Sequence, residues 1–136
     1  MSNNIRTGRH VVFDLHAHLV FVTKYRKKVL NKEVLQDMKN IFKKIADEHQ
    51  VILKEFNGEE DHIHMLIHYP PKVSLSKLVN SLKGVSSRRL RQNWPQLEEK
   101  YYKGVLWSPS YFAASCGGAP IEIIKKYIED QNTPQH

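Results

Sequence analysis

From Asp61 to Tyr69 the chain reads Asp61-His62-Ile63-His64-Met65-Leu66-Ile67-His68-Tyr69. Successive side chains of a β-strand point to opposite faces, so Ile63, Met65, Ile67 and Tyr69 share one side while His62, His64 and His68 share the other. A strand that is apolar on one side only must belong to a layered structure in which helices cover that side. The imidazoles then emerge together from the side away from the helices.

The rest of the chain supplies the layers. Residues 11–23 are β-branched, aromatic or alternating and predict a first strand, with Leu15, Ala17, Leu19 and Phe21 on one face and His16, His18, Val20 and Val22 on the other. The basic run Lys24-Tyr25-Arg26-Lys27-Lys28 reads as a loop. Beyond it Asn31 is placed to cap a helix whose apolar residues, Val34, Leu35, Met38, Ile41, Phe42 and Ile45, recur at helical spacing. Residues 51–56 predict a second strand and Asn57-Gly58 a turn into the third, from His62 to Tyr69, which Pro70-Pro71 ends. Ser74 is placed to cap a second helix with the stripe Leu75, Leu78, Val79, Leu82 and Val85. Val105-Leu106-Trp107 and Tyr111-Phe112-Ala113-Ala114 read as one broken strand or two short ones around Ser108-Pro109. Gly117-Gly118 reads as a joint, Pro120 suits the first turn of a helix, and residues 121–131 predict that helix, stopped by Thr133-Pro134. Strand, helix, strand, strand, helix, strand is the order of a ferredoxin-like α+β sandwich, an antiparallel sheet with helices on one face. The expected organisation is one domain over residues 1–136, with a body at 9–116 and an added C-terminal helix at 119–131.

Composition narrows the setting without naming a function. The 136 residues suffice for one core but not for two ordinary domains. The 21 Lys and Arg against 14 Asp and Glu leave a net charge of +7, which attracts an acidic partner such as nucleic acid. Many basic chains simply carry solvated lysines, so the motifs must decide. No apolar run approaches the roughly 20 residues of a membrane span, and the first residues lack the apolar core of a secretory signal. The single cysteine, Cys116, has no partner for an intramolecular disulfide, and a cytoplasmic protein is the expectation.

Two imidazoles at i and i+2 on a strand can converge on one metal ion, although histidines so placed are also common as ordinary surface residues. His16-Ala17-His18 is a second such pair, on a neighbouring strand of the expected fold, and reads as a supporting or packing pair. His68 reads as peripheral, and His10, His49 and His136 as solvated. On the last helix Tyr127 and Gln131 lie four residues apart and so share a face. A tyrosine there is usually packing and gains interest only from what faces it. Together the groups suit phosphodiester transfer, with an imidazole-held metal polarising a phosphate, a phenolate attacking phosphorus, and the Gln131 amide oxygen as a third ligand. Ligand softness alone leaves zinc open as the ion.

These blocks resemble the single-tyrosine HUH transposases of the smallest prokaryotic insertion sequences, within the REP-like transposase superfamily, which move as single-stranded DNA. The resemblance rests on His18-Leu19-Val20-Phe21-Val22-Thr23-Lys24-Tyr25-Arg26, on Asp61-His62-Ile63-His64, and on Val73-Ser74-Leu75-Ser76-Lys77 through Lys83-Gly84-Val85-Ser86-Ser87-Arg88-Arg89. It continues through Leu106-Trp107-Ser108-Pro109-Ser110-Tyr111-Phe112 to Tyr127-Ile128-Glu129-Asp130-Gln131. It implies His62 and His64 as metal-binding residues, Tyr127 as nucleophile forming a covalent 5′-phosphotyrosine link, Gln131 as the further metal ligand, and Mg²⁺ or Mn²⁺ as the ion. It also implies binding of single-stranded DNA hairpins and a homodimer whose active sites combine the His pair of one subunit with the tyrosine helix of the other. Lys24, Arg26, Lys83, Arg88, Arg89 and Arg91 are then the candidate DNA contacts. Tyr25, Trp107 and Tyr111 are candidates to stack on bases, with core packing the better expectation for Trp107. Three rivals stand beside this reading. A domesticated relative or a replication initiator would share the chemistry, a non-cutting hairpin binder would leave the His pair incidental, and a hydrolase acting through activated water would tolerate Tyr127→Phe.

Overall fold

The computed structural model describes residues 5–100, 105–115 and 121–131. In chain order the elements are β1 (Arg6–Thr7), β2 (Val12–Phe13), β3 (His16–Val22), α1 (Lys32–Glu48), β4 (Ile52–Gly58), β5 (His62–His68), α2 (Leu75–Asn93), β6 (Phe112–Ser115) and α3 (Ile121–Asp130). β4, β5, β3 and β6 lie side by side in that order, every neighbouring pair antiparallel. With α1 and α2 as the connections, this is the expected ferredoxin-like arrangement.

Apolar spacing builds the core as expected. Asn31 accepts the Val34 amide at 2.8 Å and starts α1, whose Val34, Met38, Phe42 and Ile45 are buried. Ser74 starts α2 by accepting the Lys77 amide, and Leu78, Val79, Leu82 and Leu90 are buried along it. Both helices cover the face of the sheet that carries Ala17, Leu19, Phe21, Ile63, Met65 and Ile67. Phe42 stands edge-on to Phe21 and Phe56, with ring centres 6.0 and 5.6 Å away.

Three expectations need correction. Residues 11–23 are not one strand: β2 stops at Phe13 and pairs with β1 in a separate hairpin turned by Gly8, whose amide bonds Val11 O at 2.6 Å. Asn57-Gly58 is not the turn either, because β4 runs through both, pairing Asn57 with His64 and Gly58 with Ile63. Gly58 is needed for space, since a Cβ there would come within 2.7 Å of Leu35 Cδ2 on α1. The reversal falls instead at Glu60-Asp61, closed by the Glu59 amide on His62 O at 2.9 Å, and Glu60 O is held by the amides of Val29 and Leu30. Finally, the sheet face that carries the histidines is not left uncovered. Val20 and Val22, on that face by alternation, are fully buried.

After α2 a 3-10 helix spans Pro95–Lys100, and from residue 105 on the chain makes two short pieces against β3. Trp107 bridges Thr23, and Phe112 to Ser115 pair with residues 17–20. Trp107 is buried in the core with Nε1 donating to Ser86 Oγ at 3.1 Å. Cys116, the Gly117-Gly118 joint, Pro120 and Thr133-Pro134 lie outside the described residues.

Candidate active site

Asp61, at the tip of the β4–β5 hairpin, is the hub of the site and was not singled out by sequence. Its Oδ1 accepts from His62 Nδ1 and its Oδ2 from Arg26 Nε, each at 2.9 Å. Burial alone would raise the Asp61 pKa, but hydrogen bonds and charge from His62 and Arg26 outweigh it and hold the carboxyl below its ordinary value. A carboxylate can only accept, so the His62 proton sits on Nδ1 and the Nε2 lone pair is left for a ligand. Arg26 reaches Asp61 because Tyr25 and Arg26 both adopt left-handed backbone, with φ of 54° and 55°. That conformation costs about 1–2 kcal/mol per residue without glycine. The bend is tied down by Lys24 N on Leu106 O at 2.8 Å and by Thr23 Oγ1, which donates to Lys27 O at 2.8 Å.

His64 lies on the same face as His62. Burial and then the neighbouring His18 push its pKa below the ordinary 6.5, which keeps the imidazole neutral. Its Nε2 is 3.1 Å from His18 Nδ1, and the two rings are stacked. His18, on the neighbouring strand β3, is thus in direct contact with the His64 ring. Arg26, Glu59, His62 and His64 border a cavity of about 440 Å³ whose opposite wall is Ile124, Lys125, Ile128 and Glu129 of α3. Glu59, Asp61 and His62 bring one ligand atom each within 4.8 Å of one another. With both Asp61 oxygens engaged by His62 and Arg26, the imidazoles and the Glu59 carboxylate make a mixed donor set that fits a divalent cation with open positions.

α3 places Tyr127 and Gln131 elsewhere. The Tyr127 hydroxyl is 2.7 Å from Ser110 Oγ and its ring packs on Phe112. Gln131 Oε1 accepts from Ser108 Oγ at 2.6 Å. Phe112 is level with Val20, and Val20 with His64, so two strand spacings, about 10 Å, separate the backbone of Phe112 from that of His64. Burial raises the Tyr127 pKa, and the Ser110 bond only partly offsets it. The phenol is thus docked and protonated here, with Gln131 engaged by a serine. Ser108 and Ser110 are held in turn by Lys83, whose Nζ donates to the two carbonyls at 2.6 and 3.1 Å. Lys83, a candidate DNA contact by sequence, is turned inward. Lys24 stands over the Tyr25 ring, Arg88 and Arg89 are exposed on α2, and Arg91 is half-buried. Tyr111 packs edge-on to Phe21.

Comparison with known proteins gives the family and the fold. The family described as "Transposase IS200 like" matches residues 11–131, and the chain belongs to that family. The ISDra2 transposase TnpA of Deinococcus radiodurans is 36% identical over 128 residues, covering 94% of this chain and 91% of the relative. The transposase for insertion sequence element IS200 of Salmonella typhimurium is 32% identical over 122 residues, covering 90% and 80%. A crystal structure of a putative transposase from D. radiodurans has a TM-score of 0.85 at 32% identity, over 95% of this chain and 99% of the other. The REP-associated tyrosine transposase, solved bound to a REP hairpin, shares the fold with a TM-score of 0.59 at 12% identity, over 95% and 69%. Among the described residues no helix is long and apolar enough to cross a membrane.

Proposed function

We propose that this transposase cuts and rejoins single-stranded DNA beside subterminal hairpins through a covalent 5′-phosphotyrosine link. The observation that carries the reading is the Arg26–Asp61–His62 relay beside neutral His64, which leaves the His62 Nε2 lone pair next to a cavity walled by the tyrosine helix. His62 and His64 would hold Mg²⁺ or Mn²⁺, with the Gln131 amide oxygen joining once released from Ser108. Such an ion, when bound, polarises the scissile phosphate and favours the phenolate. Tyr127 Oη attacks phosphorus, the bond to the 3′ oxygen breaks, and that oxygen leaves as a hydroxyl carrying the proton balance. The phosphotyrosine ester conserves the bond, so a DNA 3′-hydroxyl can later displace Tyr127 without ATP.

The docked position of Tyr127 supports sharing of sites between two subunits, because the wall of α3 facing the His pair of its own chain carries Ile124 and Ile128. Undocking α3 and passing it to a second copy, with the first copy receiving the other's helix, would complete two sites in a homodimer. Arg88, Arg89, Lys24 and Arg91 are the remaining candidates for hairpin and backbone phosphates, while Arg26 acts through Asp61. The hairpin named in the REP-associated relative supports hairpin DNA as the partner.

The test uses hairpin-flanked single strands labelled at either end, with Mn²⁺. The expected result is protein retained on the 3′-side fragment only, with the 5′-side fragment extendable by a polymerase because it ends in a free 3′-hydroxyl. Tight hairpin binding with neither product would favour the non-cutting binder.

A further inference from the structure

The histidine-bearing face has a second cluster that the transfer chemistry does not use. At the end of the sheet away from His62, His16 on β3 is level with His68 on β5. Their rings stack 4.4 Å apart at an interplanar angle of 5°. Asp14, on the link from β2, places Oδ1 3.1 Å from His16 Nδ1 and 3.9 Å from His68 Nε2. His68 is 1% exposed, and the Nε2 atoms of both rings are buried with no hydrogen-bond partner. Two unmatched imidazole nitrogens are costly as an apolar pack, because each buried polar atom forfeits its hydration, and one of them, His68 Nε2, faces the Asp14 carboxylate just beyond hydrogen-bond reach. Sequence alone made His68 peripheral, because it did not show the N-terminal hairpin closing over this end. In the structure Phe13 lies against His68, and Arg6 bonds the carbonyls of His68 and Gln50.

We propose that Asp14, His16 and His68 form a second divalent-metal site, separate from the His62–His64 centre and selective for a borderline ion such as Zn²⁺. The three residues bring one ligand atom each within 4.8 Å of one another. Ions of this class bind imidazole nitrogen at about 2.0–2.1 Å and carboxylate oxygen at about 2.0–2.2 Å, so ligand atoms on one ion stand roughly 3–3.5 Å apart. A short inward movement of His68 and Asp14 therefore closes the set. Parallel rings cannot both aim at one ion, so loading turns one imidazole about its Cβ–Cγ bond, a torsion with a broad, soft profile. Asp14 is half-exposed and free to follow. A cavity of about 450 Å³ bordered by Asp14, His16, Tyr69 and Ser115 leaves room for water as the remaining ligand. Lys54 borders the same cavity and Arg6 is close to His68, so the ion enters beside two cations. Burial, and then the charges of His16, Arg6 and Lys54, disfavour the His68 imidazolium and leave that ring a neutral donor. Two nitrogens and one oxygen select zinc, cobalt or nickel over magnesium. Bound there, the ion would pin the N-terminal hairpin to the two central strands.

The test is made on the chain with both His62→Ala and His64→Ala, so that the first centre is absent. Equilibrium dialysis against Zn²⁺, and Co²⁺ absorption in the visible, should give one ion per chain. Asp14→Asn in that background should weaken binding by about tenfold or more and His16→Gln by more, with circular dichroism checking the fold. Asp14 is the control against unfolding, since its side chain is half in solvent. Nitrogen-detected NMR should show the His16 and His68 rings shifting with added Zn²⁺. No bound ion at equimolar metal, or binding indifferent to Asp14→Asn and His16→Gln, overturns the proposal.

Discussion

Replacing Asp61 by asparagine isolates the part of the site that orients His62, the proposed metal ligand. The carboxylate accepts from both His62 Nδ1 and Arg26 Nε at 2.9 Å, whereas a carboxamide has one oxygen for two donors. If that oxygen stays with Arg26, the amide NH₂ faces His62 Nδ1, and the imidazole proton moves to Nε2, where it blocks coordination. If the oxygen stays with His62, Arg26 loses a charge-assisted bond, and the left-handed Tyr25-Arg26 bend loses its anchor. Losing such a partner beneath a metal ligand typically costs about 10–100-fold in affinity, or about 1.4–2.7 kcal/mol at 1.36 kcal/mol per tenfold. Because the substitution keeps the volume, helix content should hold. Titration calorimetry with Mn²⁺ on wild type and Asp61→Asn reads the difference directly. Unchanged affinity in a folded Asp61→Asn protein would refute the relay, and so would a loss equal to that of His62→Ala, which would make Asp61 a ligand itself.

Other predictions concern the frame around the site. Phe42→Ala removes a fully buried ring between Phe21 and Phe56 and should destabilise the fold by about 3–5 kcal/mol in urea denaturation. His64 and His68 both have pKa values lowered by burial, so the unfolded chain binds more protons just below the ordinary 6.5. Stability should therefore fall as pH drops through and below about 6.5, with Asp61 adding a further loss at lower pH, and His64→Gln should flatten part of that slope. Burial lowers Lys83 to about 8 from 10.5, which makes the unfolded chain the better proton binder between those values. Stability relative to Lys83→Met should then rise with pH across that window, a trend that denaturant midpoints at several pH values would detect.

The element order was legible because hydrophobic period is a local property. The 3.6-residue stripe of α1, the alternation of β5 and the caps Asn31 and Ser74 all agree with the fold. Asn57-Gly58 misled because a glycine required for packing against Leu35 looks the same in sequence as one required by a turn. Alternation placed His16, His18, His62, His64 and His68 on one face but could not show which ends of it β1, β2 and α3 cover. The i, i+4 spacing of Tyr127 and Gln131 was readable, yet their docking on Ser110 and Ser108 depends on Lys83 fixing that loop from α2. Arg26 looked like a surface cation because its tie to Asp61 needs two consecutive left-handed residues, which no propensity predicts.

The central claim is the tyrosine nucleophile, and the most direct measurement is a denaturing gel of protein with labelled hairpin-flanked single-stranded DNA and Mg²⁺ or Mn²⁺. A labelled protein band with wild type that is absent with Tyr127→Phe and after chelation is the predicted result. An adduct that persists in Tyr127→Phe, or cleavage by that variant with no adduct at all, would contradict it and point to another nucleophile or to activated water.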